Sequence, residues 1–592
     1  MITDNYYIAD QFSLLAKLMD IHGENSFKTK SYSVAAFTIE KLPALLTEMP
    51  PEKIFTIKGI GDAIGKKIQE IIATGELRLL REYLEKTPPG VIELLNIKGL
   101  GPKKIATIWK EMEIESLGEL LYACQENRLL LYKGFGEKTQ NNVKDAIEFY
   151  FKSQGSHLYA DVEAYALALD AQLKETFSEH RFALTGEFRR QLEVINQLQW
   201  VTTLSQATAR SFFENNGFSA ESEPLPASID TTSAPAKSGS ELLHGAPSEL
   251  ISLPVSSIIR FKGPEGVRLE FLCSTEDEFT PTLFATSCSG EFLEAWEQRT
   301  HWDPKAPSPS EEQIFSSFRI NFIPSYQRER AAILEEASLN ILPTLIQAKD
   351  IRSVIHSHSN WSDGSNTLEE MAKACIERGY EYLVISDHSK SAFYANGLNE
   401  ERIREQHVQI GELNRQLAPF TIFKSIECDI LNDGALDYSD PILSTFDLVI
   451  ASVHSNLKMS EEKAMNRLLN AIANPYTTIL GHMTGRLLLS RPGYPVDHRK
   501  IIEACAEHHV TIELNAHPRR LDMDWRWIAY AIEKGVLISI DPDAHSTEGC
   551  DVIKYGVLAA QKAGLTPKMN LSSYSLEEFR AFLAERKKAF SL

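Results

Sequence analysis

Nine side chains between positions 356 and 545 have the types and spacing for metal chemistry: His356, His358, Asp363, His388, Glu427, His454, His482, Asp543 and His545. Six imidazoles and three carboxylates exceed the four donors of one tetrahedral ion. They suffice for two or three divalent ions that keep positions open to water. Mixed nitrogen and carboxylate ligation suits Zn²⁺, Mn²⁺ or Fe²⁺ better than the all-oxygen sets of Ca²⁺ and Mg²⁺. A single histidine at a strand end is most often a plain hydrogen-bonding group. Against that reading, residues 351–592 hold eleven of the sixteen histidines, and six of those eleven close apolar runs.

Those runs are the elements that must position the nine. They are 352–358 (RSVIHSH), 382–388 (YLVISDH), 421–427 (TIFKSIE), 448–454 (LVIASVH), 477–482 (TTILGH), 510–515 (VTIELN) and 536–545 (VLISIDPDAH). Stretches of helical periodicity follow most of them, at 368–378, 400–417, 460–474, 499–508 and 525–534. Strands alternating with helices predict a parallel sheet, and seven such units close into a TIM-like barrel with its chemistry at the strand C-termini. His356 and His358, two apart, then project from one face of a strand, and Asp363 lies in a Ser-Asp-Gly turn that folds back over it.

The segments HSH…SDG, ISDHS, SIECDIL, SVHS, GHMTGRLLL and DPDAHS resemble the PHP (polymerase and histidinol phosphatase) domain, in the version attached to bacterial family X DNA polymerases. The resemblance covers about residues 350–575. It implies a distorted seven-stranded (β/α)7 barrel, a trinuclear metal centre and phosphoester hydrolysis. One departure is Val354, where the family usually carries Asp. On this reading Glu427 bridges two ions, while Asp387 and Asn515 orient ligand imidazoles. Arg486, with Arg519 and Arg520, either clamps non-scissile phosphates or makes surface salt bridges.

The N-terminal part carries a repeated turn. Ile57-Lys58-Gly59-Ile60-Gly61 precedes Lys66-Lys67, Ile97-Lys98-Gly99-Leu100-Gly101 precedes Lys103-Lys104, and Gly134-Phe135-Gly136 is a weaker third copy. A Gly-apolar-Gly turn opening a helix resembles the helix-hairpin-helix motif, which offers free backbone N–H groups and lysine charge to DNA phosphates without reading bases. Residues 1–150 also resemble the lyase and fingers region of family X polymerases. Lys67 is then either a Schiff-base lyase nucleophile or a phosphate contact. The net charge of −20 disfavours indiscriminate nucleic-acid binding, but residues 1–150 are nearly balanced, with 19 Lys and Arg against 21 Asp and Glu. DNA contact is therefore expected there, on gapped, nicked or 3′-ended DNA.

Residues 156–345 should form the polymerase palm and thumb, and here the pattern breaks. Gly186-Glu187-Phe188-Arg189-Arg190 resembles the start of the nucleotidyltransferase signature, which continues with two aspartates that hold Mg²⁺. This chain has Gln197 and Gln199 instead, with Glu270 as the third position. Two amides do not replace two anionic ligands of a divalent pair, so a palm without nucleotidyl transfer is expected. The alternative is a shifted register in a working polymerase. Other carboxylates, such as Glu187, Glu193 and Glu270, would then form the site.

The resulting expectation is a multidomain chain: an all-α lyase-like domain with helix-hairpin-helix over 1–90, a second, fingers-like one over 91–155, an α+β palm over 156–345 with a disordered Ser/Pro-rich insertion at 219–250, and the barrel over 346–592. Seven scattered cysteines without a CxxC pair, no apolar span of eighteen residues and no signal core point to a cytoplasmic protein with no membrane association. The favoured activity is DNA-directed, metal-dependent phosphoester hydrolysis, as a 3′–5′ exonuclease or 3′-end-processing enzyme. The alternatives are a polymerase with proofreading exonuclease, a small-molecule phosphatase and a non-catalytic DNA scaffold.

Overall fold

In the computed structural model the described residues are 4–590, except 126–128, 130–131, 154, 221–256, 264–265 and 490–491. The insertion expected at 219–250 therefore lies, from 221 onward, outside the described residues. The chain divides into two compact units, Met1–Gln154 and Gly155–Leu592. No helix among the described residues is long and apolar enough to cross a membrane.

The first unit is helical, with principal helices Asn5–His22, Ser26–Glu40, Asp62–Thr74, Pro102–Lys110 and Glu137–Ser153. A single apolar core runs from Ile8 and Phe12 through Ile68 and Leu80 to Ile105 and Ile147. The division expected at residue 90 thus does not coincide with a break in packing. Each hairpin alone is too small to bury its apolar face, and the two halves share one core. The three glycine turns superimpose in conformation. Gly59, Gly99 and Gly134 have φ of 93°, 92° and 93°, a region open to glycine. Ile60, Leu100 and Phe135 between the glycines are buried and anchor each turn.

The second unit begins with a mixed sheet: β1 (Phe182–Thr185), β2 (Leu198–Thr202), β3 (Ser219–Ala220), β4 (Ser257–Lys262) and β5 (Arg268–Cys273), in the order β1-β2-β5-β4-β3. Among the described residues only β2 and β5 run parallel, and their register sets Gln199 opposite Glu270. Helices from Glu276 to Ser338 follow around a separate aromatic core of Phe284, Trp296 and Phe315.

Apart from a short antiparallel pair, His157–Leu158 with Val194–Ile195, the remaining described strands are parallel: β6 (Ser353–Ser357), β7 (Tyr382–Ile385), β8 (Thr421–Lys424), β9 (Glu427–Asp429), β10 (Val449–Ser452), β11 (Thr477–Leu480), β12 (Thr511–Asn515) and β13 (Ile538–Asp541). They form a three-stranded sheet, β8-β7-β6, and a five-stranded one, β9 to β13 in sequence order. The run at 421–427 is broken at Ser425-Ile426 and so feeds both sheets. The sheets are bridged on both sides. Ser357 pairs with Ala544 beyond β13, and His388 beyond β7 pairs with Glu427. The intervening helices start where side-chain caps are available, at Thr367, Asn399, Ser460 and Asp497. Alternate strand residues serve two cores. Val354, Leu383, Val449 and Ile512 pack under the helices. Ile355, Val384, Ile450 and Ile479 meet inside, where Phe579 and Leu583 of the helix Leu576–Phe590 complete that inner core.

Candidate metal centre

All nine residues lie in or just beyond the C-terminal ends of these strands, except Asp363 in the turn after β6. Glu427 is the hub. Its Oε1 is 3.2 Å from His356 Nε2, 3.0 Å from His454 Nε2 and 2.9 Å from His482 Nε2. Its Oε2 is 3.0 Å from His388 Nδ1 and 3.6 Å from His358 Nε2. One carboxylate thus faces two sets of imidazoles with a different oxygen toward each. Ligand atoms within 4.8 Å of one another fall into three groups: His358, Asp363, His388 and His545; His356, His358, Glu427 and Asp543; and His388, Glu427 and His454.

The local backbone is shaped to this end. His356 has φ of 59° at a register shift between Val354 and Ser357, and Asp543 has φ of 52°. Such left-handed non-glycine residues cost energy and concentrate at functional sites. The strand carrying His356 and His358 is therefore bulged, not the regular pleat expected. Asp363 is delivered by the tight turn expected, where a Cβ on Gly364 would lie 2.5 Å from His358 O.

The electrostatics call for positive charge. Burial alone would depress His356 and His454. Glu513, Glu427 and Asp543 outweigh it at His356, pushing it well up, and Glu427 with Asp429 holds His454 at about 10. His545 is likewise held at about 9 by Asp363 and Asp543 against its burial. His358 is driven down to about 3 by burial and by His545 and His388. Glu427 and Asp543, although buried, lie well below the usual carboxylate range because of the surrounding imidazoles. Buried His356 Nε2, His358 Nδ1 and Glu427 Oε2 have no hydrogen-bond partner among the described residues. A divalent cation supplies the missing charge and satisfies such orphaned donor atoms, so this residue set fits metal.

Two carboxylates that sequence reasoning missed hold the imidazoles. Glu513 Oε1 accepts from His356 Nδ1 at 2.8 Å and its Oε2 accepts from the His482 backbone N–H at 2.6 Å. Asp429 pairs with His454 Nδ1. Their sequence signal is two-residue spacing: Glu513 shares a strand face with Asn515, and Asp429 with Glu427. The roles expected of Asp387 and Asn515 are corrected accordingly. Asp387 accepts from Ser359 N, Ser362 Oγ and Gln406 Nε2, fixing the turn that carries Asp363. Asn515 Nδ2 donates to Asp543 Oδ2 at 3.1 Å, so it orients a carboxylate and no imidazole. Arg486 is not a free phosphate clamp. It pairs with Asp524 and donates to the carbonyls of Arg520 and Leu521, because those acceptors fold back over it from a later loop. Arg519 is exposed at the rim, and Arg520 Nε lies 3.7 Å from Asp543 Oδ2.

In the first unit, Gly61, Gly101 and Gly136 open onto space where nothing lies within 4 Å of an added Cβ. Lys66 and Lys103 are exposed and Lys67 half-buried, while Lys104 Nζ donates to the carbonyl of Gly99 in its own turn. In the mixed sheet, Glu270 is buried and engaged from both sides. Its Oε1 accepts from Gln199 Nε2 at 2.7 Å and from Gln197 Nε2 at 3.4 Å, and its Oε2 accepts from Arg260 Nε at 2.7 Å. Glu187 accepts from the Asn196 backbone and side chain. The sequence thus located these residues together, but bonded to one another.

Family models match the chain in three places: a helix-hairpin-helix domain over residues 3–77, a SAM-like helix-hairpin-helix tandem over 91–148 and a PHP domain over 355–517. The DNA polymerase/3′-5′ exonuclease PolX of Bacillus subtilis (strain 168) is 32% identical, over 96% of this chain and 97% of that protein. The chain belongs to the PolX family. A probable phosphatase of Thermoanaerobacter sp. (strain X514) matches at 27% identity over 39% of the chain and 94% of its own length. A probable phosphatase of Escherichia coli O81 matches at 26% over 32% of the chain and 78% of its length. Alongside these shorter phosphatases, the PolX match extends over the helix-hairpin-helix unit and the mixed sheet as well as the PHP part.

Proposed function

We propose that this PolX-family chain is a metal-dependent phosphoesterase acting on DNA, as a 3′–5′ exonuclease or 3′-end-processing enzyme, and that its palm no longer transfers nucleotides. The observation that carries the reading is Glu427, with one oxygen toward His356, His454 and His482 and the other toward His358 and His388. Two or three Zn²⁺, Mn²⁺ or Fe²⁺ ions held by the nine residues would supply Lewis acidity toward a phosphodiester. The chain's own groups arrange the rest. Glu513 and Asp429 fix which nitrogen of His356 and of His454 faces the centre. Exposed Arg519, next in the chain to Arg520 beside Asp543, would supply a guanidinium to a non-bridging phosphate oxygen.

The first unit supports a DNA substrate. Three equivalent glycine turns present helix N-termini with Lys66 and Lys103 beside them, a geometry for phosphate that reads no sequence. In the palm, Glu270 bonded to two amides and an arginine leaves no carboxylate pair for Mg²⁺, and no metal-ligating group is found there among the described residues. Lys67 fits a phosphate contact, with lyase chemistry the secondary reading.

The test is hydrolysis of 3′-labelled oligonucleotides by the metal-loaded chain beside a His356→Ala/His358→Ala double variant. Release of 3′ nucleotides by the first and none by the second is expected. Hydrolysis of small phosphomonoesters with no action on DNA would favour the phosphatase reading and overturn this one.

A further inference from the structure

The palm segment between the old signature helix and Gln197 reaches out to the barrel. Glu193, only 10% exposed, accepts from Trp525 Nε1 at 3.1 Å and from Arg526 Nη1 at 2.9 Å. Arg526 in turn donates to Asp524 at 3.0 Å, and Asp524 accepts from Arg486 Nη1 at 2.6 Å. Arg486 holds the backbone carbonyls of Arg520 and Leu521. The same segment meets the metal centre twice: Arg520 Nε lies 3.7 Å from Asp543 Oδ2, and the Asp522 carbonyl accepts from Asn515 N, whose side chain donates to Asp543. A second strut lies alongside. Buried Lys562 donates to the carbonyls of Arg190 and Gln191 and sits 4.9 Å from the Trp525 ring.

We propose that the palm serves as a brace for the hydrolytic centre, with Glu193 the positioning residue that sets segment 519–526 against Asp543. Both carboxylate oxygens of Glu193 are engaged by barrel residues, Oε2 by Trp525 and Oε1 by Arg526, which takes it out of a palm metal site. The arrangement also explains why Arg486 faces inward. A guanidinium that joins Asp524 to two carbonyls fixes a loop whose own residues are largely irregular. Removing the Glu193 carboxylate would leave Trp525 Nε1 without its acceptor and Arg526 with Asp524 alone, and free the loop to shift. Small displacements near reacting atoms cost rate out of proportion to their size.

The proposal rests on the hydrolase reading for its kinetic arm only, and a metal-binding arm is independent of it. The full chain would carry Glu193→Gln, Arg526→Glu, and the exchange Glu193→Arg with Arg526→Glu. For each, kcat and KM on a 3′-labelled oligonucleotide, Mn²⁺ affinity by EPR titration without DNA, and the thermal midpoint are measured. Glu193→Gln is expected to lower kcat and weaken Mn²⁺ binding, each about tenfold, as supporting groups around a metal site do. KM should change less than about twofold, since Glu193 touches no DNA-binding element. The exchange should restore most of both losses.

A lowered thermal midpoint with kcat and Mn²⁺ affinity unchanged would overturn the proposal, leaving an ordinary interface contact. So would losses that persist in a folded exchange variant. If the exchange variant does not fold, Arg526→Lys decides by the same two readouts, retaining most of both in a brace that depends on charge. A parent chain that binds Mn²⁺ but leaves DNA intact would sink the hydrolase reading, and the Mn²⁺ arm would still judge the brace.

Discussion

Glu513→Gln is the sharpest single test of the metal centre. Glu513 is fully buried and accepts from His356 Nδ1 at 2.8 Å and Asn515 Nδ2 at 3.3 Å on Oε1, and from the His482 backbone at 2.6 Å on Oε2. Glutamine preserves the shape but has one oxygen and one NH₂. Whichever way the amide turns, at least one of these donors faces another donor. Leaving a buried donor unsatisfied costs about 1–3 kcal/mol, and the lost charge removes the stronger part of the bond to His356. Each ~1.4 kcal/mol is a factor of ten in affinity, so metal binding should weaken roughly 10- to 100-fold. Competition against a chromophoric chelator, with circular dichroism to show an intact fold, measures this directly. Wild-type metal affinity in a folded Glu513→Gln chain would refute the inference that this carboxylate sets the His356 imidazole.

Three further outcomes are expected. Lys66→Ala and Lys103→Ala should each weaken DNA binding without changing sequence preference and flatten the salt dependence of log K by about one unit, as read by fluorescence anisotropy from 50 to 200 mM salt. No template-directed extension of a primer should occur, even with Mn²⁺, when assayed in the His356→Ala/His358→Ala background so that hydrolysis hides nothing. Extension there would show that the palm works despite Gln197 and Gln199. His407, pushed down to about 4 by burial and by Lys424, has an Nε2 without a partner among the described residues and packs edge-on against Phe446. Above pH ~6.5 folded and unfolded forms are both neutral. Between ~6.5 and 4 only the unfolded chain takes the proton, so stability falls as pH falls. His407→Phe should flatten that part of the curve of denaturation midpoint against pH, and an unchanged slope would count against the shift.

Much of this was legible before any coordinates. Parallel strands covered on both faces read as unbroken apolar runs, and helical periodicity places the following helices at 368–378, 400–417 and 460–474. Metal-type residues at the ends of such runs converge because parallel strands all point their C-termini one way. What escaped was non-local. The bulge at His356 answers to its pairing with β7 and Ala544, which no local pattern announces. Glu513 and Asp429 look like ordinary strand carboxylates until their partners from other strands are in place. Arg486 is indistinguishable from a surface arginine without Asp524, 38 positions later. The Gln197, Gln199 and Glu270 cluster was visible as an absence of aspartates, but the closure of Glu270 by Arg260 was not.

The inner core has a consequence for synthesis on the ribosome. Every one of the nine metal-type residues has been added once the chain reaches His545, yet Ile355 and Val384 pack against Leu571, Phe579 and Leu583, which come later still. Ser353 Oγ finds its acceptor on Ser572, 219 positions downstream. Contacts of that separation form late, because the intervening chain must first be ordered. A nascent chain therefore carries all nine side chains for some time without the scaffold that gathers them, and the centre is completed only when residues 571–583 have been added and packed.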